Sequence, residues 1–241
     1  MTTRLAGGFF ALSIVAMGQG ASATPPDIID VRDELFGVSA CCVLLLRETD
    51  DNLGVYDAFQ KDTLLVSIDR ESGETTQKPV YRAMGRADYE RDELGEIRLY
   101  SGETLPGSVE PFAALAGMSG APARAGAGAV HDEAGPVREG DGLSMSFRDG
   151  PAVRASVSAL MRRFQAALDE TVKIVGDYER LATIPTRELF AGLARDPAGC
   201  RFDRAYRLDD RVGAPIILLR AICGEETGEG IASLLLPLPE E

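Results

Sequence analysis

Residues Val38 to Arg47 read VSACCVLLLR. Eight of the nine residues from Val38 to Leu46 are apolar, with only Ser39 interrupting. A strand covered on one face alternates apolar and polar residues, and this run does not. It predicts a strand buried on both faces near the middle of a sheet. Cys41 and Cys42, as successive strand residues, then point to opposite sides.

On the N-terminal side of this run, Pro25-Pro26-Asp27 opens IIDVRDELFG. Ile28, Val31 and Leu35 share a helical face, acids crowd the first turns, and Gly37 stands at the stop position. The pattern predicts a helix of one to two turns. On the C-terminal side, Glu48 to Asn52 predict a polar turn, and Leu53–Asp57 and Thr63–Asp69 predict strands. Arg70 to Glu74 predict a tight turn with Gly73 at positive φ. Thr75 to Arg82 return as a strand in which Pro79 predicts an edge position. Residues 38–83 thus read as an antiparallel meander. Ser72–Thr75 and Ser101–Thr104 both spell SGET. That turn is common in β-propeller blades, but two copies without flanking repeats read as ordinary hairpin turns. Arg82 to Glu96 is charged and reads as irregular, and Ile97 to Tyr100 adds a small strand.

Ala and Gly dominate from Ala113, so residues 113–149 predict a flexible loop or linker. Beyond it, Gly150 and Pro151 fit the N-cap and first helical position. Val153, Val157, Leu160, Phe164, Leu168, Val172, Val175, Tyr178 and Leu181 then recur about every 3.5 residues. They predict one long amphipathic helix packed across a sheet. Thr186 opens a shorter helix that stops before Asp196-Pro197. Residues 201–208, 214–223 (APIILLRAIC) and 231–238 (IASLLLPL) read as closing strands.

The first 23 residues stand apart. Arg4 precedes an uncharged apolar run, Leu5 to Met17, and Ala21-Ser22-Ala23 forms an A-x-A cleavage site. This is the grammar of a secretory signal peptide. The run falls short of the ~20 residues a spanning helix needs. No later segment is long and apolar enough to span a bilayer, so no integral membrane segment is expected after cleavage. Val38-Ser39-Ala40-Cys41 spells a lipobox, but charged Asp27, Asp30, Arg32, Asp33 and Glu34 precede it, which argues against acylation at Cys41.

Cleavage removes one arginine and no acid, moving the net charge from −13 to −14. Such acidity disfavours nucleic acid and anionic membrane surfaces, which need clustered Lys and Arg. The 218 residues that remain and the 45% hydrophobic content suit a folded core. There is no Trp and one His, and that lone histidine narrows the chemistry.

In an exported chain, four cysteines predict disulfides. Folding residues 200–223 into a hairpin sets Cys200 opposite Cys223 and Asp203 opposite Arg220, an opposite-charge cross-strand pair. Phe202, Tyr206 and Leu208 then share a face with Ala221, Ile217 and Leu219. Cys200–Cys223 is therefore the preferred bridge. Cys41 and Cys42 are left over, because a vicinal disulfide between them would disrupt the strand. The alternative joins one of them to the C-terminal strands.

Gly117-Met118-Ser119-Gly120-Ala121-Pro122 resembles the G-x-S-G-x-P segment around the nucleophile of chymotrypsin-like serine peptidases. The resemblance covers six residues. It implies Ser119 as nucleophile and Gly117 as part of an oxyanion hole. In that family the histidine base precedes the serine, whereas His131 here follows it by twelve residues. Acidic clusters at Glu48–Asn52, Asp132–Glu133, Asp209–Asp210 and Glu225–Glu226 carry oxygen ligands of the kind calcium takes, without EF-hand spacing. No P-loop or G-x-G-x-x-G follows a strand, so no cofactor and no metal is assigned.

The expected fold is α+β: a mostly antiparallel β-sheet, formed by a β-meander plus a C-terminal hairpin, packed by the long helix. Residues 1–23 form the signal peptide, 24–112 the β-rich N-terminal part and 113–149 the loop or linker. Residues 150–241 supply the helix and closing strands of the same domain as 24–112. The expected function is a non-catalytic periplasmic or secreted protein that binds an envelope protein or a small ligand. The alternatives are a serine hydrolase acting through Ser119 and a calcium-binding envelope protein.

Overall fold

The computed structural model describes residues 28–52, 58–87, 97–118, 123–124, 130–148, 150, 152–175, 200–208, 215–225 and 230–239. The signal-peptide reading, the strand at Leu53–Asp57 and the helix from Thr186 lie outside them.

Thirteen strands and two helices make up the described chain. They run β1 (Ile29–Val38), β2 (Cys42–Asp51), β3 (Ala58–Asp69), β4 (Thr75–Ala87), β5 (Ile97–Glu103), α1 (Pro111–Ala116), β6 (Ala123–Arg124), β7 (Val130–Ala134), β8 (Pro136–Glu139), β9 (Gly142–Met145), β10 (Val153–Ser156), α2 (Val157–Val175), β11 (Arg201–Leu208), β12 (Ile216–Glu225) and β13 (Gly230–Pro239). One large mixed sheet runs β5-β4-β3-β2-β1-β13-β12-β11-β7, with β6 also on β1. Strands from both ends of the chain therefore share one sheet. They meet where β1 and β13 pair in parallel, Val31 opposite Ala232. The strands β10-β9-β8 form a second, small sheet.

The run that opens the reading is two strands and a turn rather than one strand. β1 ends at Val38, the chain reverses, and β2 begins at Cys42, with Ser39 N–H donating to Cys42 O at 2.8 Å. Double-faced burial is observed in β2, where Val43, Leu44 and Leu45 are wholly buried. The segment read as a short helix is β1. Its buried residues Ile29, Val31 and Asp33 alternate with partly or fully exposed Asp30, Arg32 and Glu34. An inward aspartate disguises that two-residue period, because acids ordinarily mark the wet face. Glu48 to Asp51 continue β2 instead of turning.

The meander is observed from β2 to β5, every neighbour antiparallel. The Arg70–Glu74 turn joins β3 to β4, with Gly73 at φ 71°. β4 runs to Ala87, past the point where irregular chain is expected. Pro79 sits beside a bulge, and β5 pairs with β4 only from Arg82, so nothing in β5 asks Pro79 for an N–H. The second SGET copy is no turn, since Ser101 to Glu103 belong to β5.

The Ala/Gly-rich stretch read as a loop or linker carries α1 and β6 to β9 among its described residues. β7 pairs with β11, and Ala134 is buried there. On α1, Leu115 packs with Phe36, Leu44 and Leu65. The Phe112 ring meets Phe36 edge-on, with centroids 5.3 Å apart.

Helix α2 begins later than the apolar stripe suggests, and the stripe's last positions, Tyr178 and Leu181, lie outside the described residues. Nineteen residues are described, and Val153 to Ser156 form β10 against β9. The cap is Ser156 rather than Gly150: its Oγ accepts Ala159 N–H at 3.2 Å. Asp141 adds acceptors for Ser158 N–H and for the Ser156 and Ser158 hydroxyls. These bonds, the Ser158 hydroxyl first, hold the Asp141 carboxyl below the usual range. Val157, Leu160, Met161, Phe164, Leu168 and Val175 face the sheet, over Ile29, Val31, Leu219 and Leu234 among others.

Cys200 and Cys223 form a disulfide, with Cα atoms 4.2 Å apart. The charge pair expected beside it is absent. A bulge between Phe202 and Ala205 shifts the register, so Ala205 lies opposite Leu219 and Tyr206 opposite Leu218. Phe202 therefore packs in one apolar cluster and Tyr206 with Leu208 in another. Arg220 turns away to Ser233 Oγ at 2.9 Å and Asp33 O at 3.3 Å. The bridge closes a loop whose restriction in the unfolded chain contributes roughly 3 kcal/mol. Cys200→Ala should lower stability by about 2–5 kcal/mol in urea unfolding, with Cys200→Ala/Cys223→Ala little worse than either single change. A loss below about 1 kcal/mol would show that the bridge contributes little.

Candidate functional site

A buried ion pair organises the underside of α2. Asp33 on β1 and Arg47 on β2 are cross-strand partners, and the alternation that buries Val31 and Leu45 turns both inward. Arg47 Nε donates to Asp33 Oδ1 at 2.7 Å, and Nη2 donates to Oδ2 at 2.8 Å, a two-pronged contact. Arg47 Nη1 reaches α2, donating to Thr171 Oγ1 at 3.0 Å and Ala167 O at 3.2 Å. Asp33 Oδ2 also accepts Leu235 N–H at 3.0 Å. The Thr171 hydroxyl lies 2.9 Å from Gln77 Oε1 and 2.8 Å from Ala167 O, either of which takes its proton. Gln77 Nε2 donates to Ala167 O at 3.0 Å. Both charges are thus removed from water with their bonding capacity met, the condition under which a buried pair is tolerated.

Two further arginines fasten the same helix. Arg163 Nη1 donates to Pro237 O on β13 at 2.7 Å. Arg82 on β4 binds Asp62 Oδ1 at 2.7 Å through Nε and donates to Val175 O, in the last described turn of the helix, through Nη2.

Between the Arg163 and Gln77 attachments lies a cleft of about 370 Å³. Val66, Leu235 and Leu236 give it apolar walls, and Arg47 reaches it from below. Arg163 and Glu170 border it on α2, and the β3–β4 turn, Ser72 to Thr75, forms its lip. That lip is ordered by Asp69. Its Oδ1 accepts Ser72 N–H at 2.8 Å, Ser72 Oγ–H at 2.9 Å and Glu71 N–H at 3.1 Å. The Ser72 amide, the largest influence, and these other donors hold the Asp69 carboxyl below the usual range. Glu170 is balanced by Lys173 at 3.1 Å. Arg163 spends one N–H on Pro237 O and has no carboxylate partner among the described residues.

The residues singled out from sequence are not gathered at this cleft. Ser119 lies outside the described residues. Gly117 ends α1, and its N–H donates to Ala113 O at 2.9 Å, so that amide serves as a helix cap. His131 is exposed on β7. Glu48 and Asp50 share Lys61 at 3.0 and 3.6 Å, while Asp51 is buried. β2 therefore sorts that acidic cluster between faces, and no calcium loop forms there. Glu133 pairs with Arg204 at 2.7 Å, and Asp209, Asp210 and Glu226 lie outside the described residues. Among the described residues no group of three or more His, Cys, Asp or Glu is placed to hold a metal ion. Nor is any described helix long and apolar enough to cross a membrane. Cys41 and Cys42 are not disulfide-bonded.

No family model, curated protein or solved structure matches this chain. The cleft is therefore read from its own chemistry. Sequence reasoning missed Asp33, Arg47, Gln77, Arg163 and Thr171. A signal existed for the first two: with Asp33 counted as inward, Ile29, Val31 and Asp33 keep a strand's period, and a buried acid implies a cation opposite.

Proposed function

We propose that the chain is an exported, non-catalytic binding protein that holds a small amphiphile, with an apolar body and an anionic head, in the cleft beneath α2. The cleft carries this reading. Its volume lies at the lower end of the ~300–1,000 Å³ typical of ligand pockets, and its lining combines apolar walls with a few polar groups. Val66, Leu235 and Leu236 suit the apolar body. Arg163 suits the head, since its remaining N–H groups match a carboxylate fork. Export rests on Arg4, the Leu5–Met17 run and Ala21-Ser22-Ala23, and the Cys200–Cys223 bridge accords with an oxidising compartment.

Decanoate and decanol serve as probes in titration calorimetry and thermal unfolding. Decanoate should bind saturably and raise the unfolding temperature. Arg163→Gln should weaken decanoate about tenfold or more, the value of one charge-assisted hydrogen bond, and leave decanol unchanged. Equal loss for both probes, or no saturable binding by either, would remove the cleft as the ligand site. Stoichiometric labelling of Ser119 by a fluorophosphonate would replace the binding reading with a hydrolase.

A further inference from the structure

The turn between β1 and β2 sets two thiols side by side. Ser39 Oγ accepts Cys42 N–H at 3.2 Å and lies 3.3 Å from Cys41 Sγ. Cys41 and Cys42 are adjacent in the chain, and both residues are partly exposed. The expectation that they face opposite sides of a strand fails because Cys41 belongs to the turn and Cys42 opens β2. For the same reason, joining their sulfurs would strain a turn and not the middle of a strand.

That turn is tied to the lip of the cleft. Arg70, which is buried, donates its N–H to Cys41 O at 2.8 Å and its Nη1 to Ser39 O at 3.2 Å. Cys42 pairs with Asp69, whose carboxylate orders Glu71 and Ser72. The carbonyls flanking the first thiol are thus the acceptors that hold the start of the lip.

We propose that Cys41 and Cys42 are a redox-active vicinal dithiol whose oxidation loosens the Ser72–Thr75 lip. The oxidant is an external disulfide, either a small molecule or another protein. The Cys41 thiolate attacks one sulfur of that disulfide, forms a mixed disulfide and expels a thiolate. The Cys42 thiol then gives its proton to solvent, attacks Cys41 Sγ and expels the second thiolate. Two protein thiols are oxidised, one external disulfide is reduced to two thiols, and the two protons released by the protein reprotonate the leaving groups. Burial first, and then the neighbouring Cys41, push the Cys42 thiol up to about 12, so Cys42 must give up its proton before it attacks and the second step is the slower of the two. Adjacent Cα atoms stand about 3.8 Å apart, against roughly 4.4–6.8 Å in ordinary disulfides. Closing the ring therefore displaces the turn carbonyls from Arg70, and the bond is of the strained, readily reduced kind.

The full chain is equilibrated with oxidised and reduced glutathione over a range of ratios, then alkylated and mapped by mass spectrometry. Amide exchange is followed from Arg70 to Thr75 on the same samples. The peptide holding Cys41 and Cys42 should lose two hydrogens and keep no glutathione. Its half-conversion should fall at a more oxidising ratio than that of Cys200–Cys223. Exchange at Glu71, Ser72 and Glu74 should quicken about tenfold or more on oxidation. Cys42→Ser should stop with one glutathione on Cys41, although the wild-type result decides even if that variant fails to fold. Glutathione persisting on both cysteines, no reaction in oxidised glutathione alone, or oxidation without faster exchange in the lip would each overturn the proposal. None of these outcomes depends on whether decanoate binds.

Discussion

Arg47→Ala should destabilise the protein by about 3–5 kcal/mol, the usual cost of stripping one partner from a buried ion pair. Stability of small domains is commonly 5–15 kcal/mol, so the variant would be marginal at room temperature. The cause is what remains. Asp33 would keep a charge in a site where its side chain is wholly buried, holding only Leu235 N–H in place of the guanidinium. Thr171 Oγ1 would lose its donor and Ala167 O would keep only Gln77 from the sheet, so the middle of α2 would be held less firmly. Removing both charges is a different experiment. Asp33→Asn/Arg47→Met leaves no orphaned charge, keeps an amide oxygen near Leu235 N–H, and should be less damaging than Arg47→Ala alone. Urea unfolding with an unchanged slope is the measurement. If Arg47→Ala costs under about 1 kcal/mol, or the double variant is the worse, the pair does not organise the helix as described.

How much of this could be read from the chain depends on where polarity points. β12 and β13 were legible because Ile216 to Leu219 and Leu234 to Leu236 are buried with no polar interruption. The disulfide was legible because hairpin geometry needs only Cys200 opposite Cys223, and the bulge that spoils the Asp203–Arg220 pair begins beyond that position. β1 was not, because Asp33 faces inward, and a rule that places acids outside then favours a helix. The start of α2 was misplaced because Val153 keeps the helical spacing while pairing with Met145 in β10. The cleft had no contiguous signature at all. Its walls come from β2, β3, the turn after β3, α2 and β13, and only the tertiary fold brings Val66, Arg163 and Leu235 together.

Gly230→Ala tests the junction on which that fold depends. Gly230 has φ +125°, a backbone conformation that residues with a Cβ rarely adopt. A methyl group there would fall on the backbone of Ile29, its carbonyl oxygen first, with the carbonyl carbon 2.6 Å and the amide nitrogen 2.9 Å away. These are main-chain atoms of β1 and cannot swing aside as a side chain would. One of the two strands must retreat, and this is where they meet: Ile231 N–H donates to Asp30 Oδ1 at 3.0 Å, and Val31 pairs with Ala232. The backbone conformation alone costs of order 1–3 kcal/mol. Losing the hydrogen bond to the Asp30 carboxylate adds about 1.5–3 kcal/mol. Gly140 supplies the control: it also has positive φ, +62°, but an added Cβ there meets nothing within 4 Å. Gly140→Ala should therefore cost only about 1–2 kcal/mol, the price of the left-handed conformation. Urea unfolding of both variants, with amide exchange at Ile231 and Ala232, separates strain from collision. Gly230→Ala should be clearly the less stable and should lose protection at those amides first. Equal stability of the two variants would mean that β1 and β13 do not approach this closely.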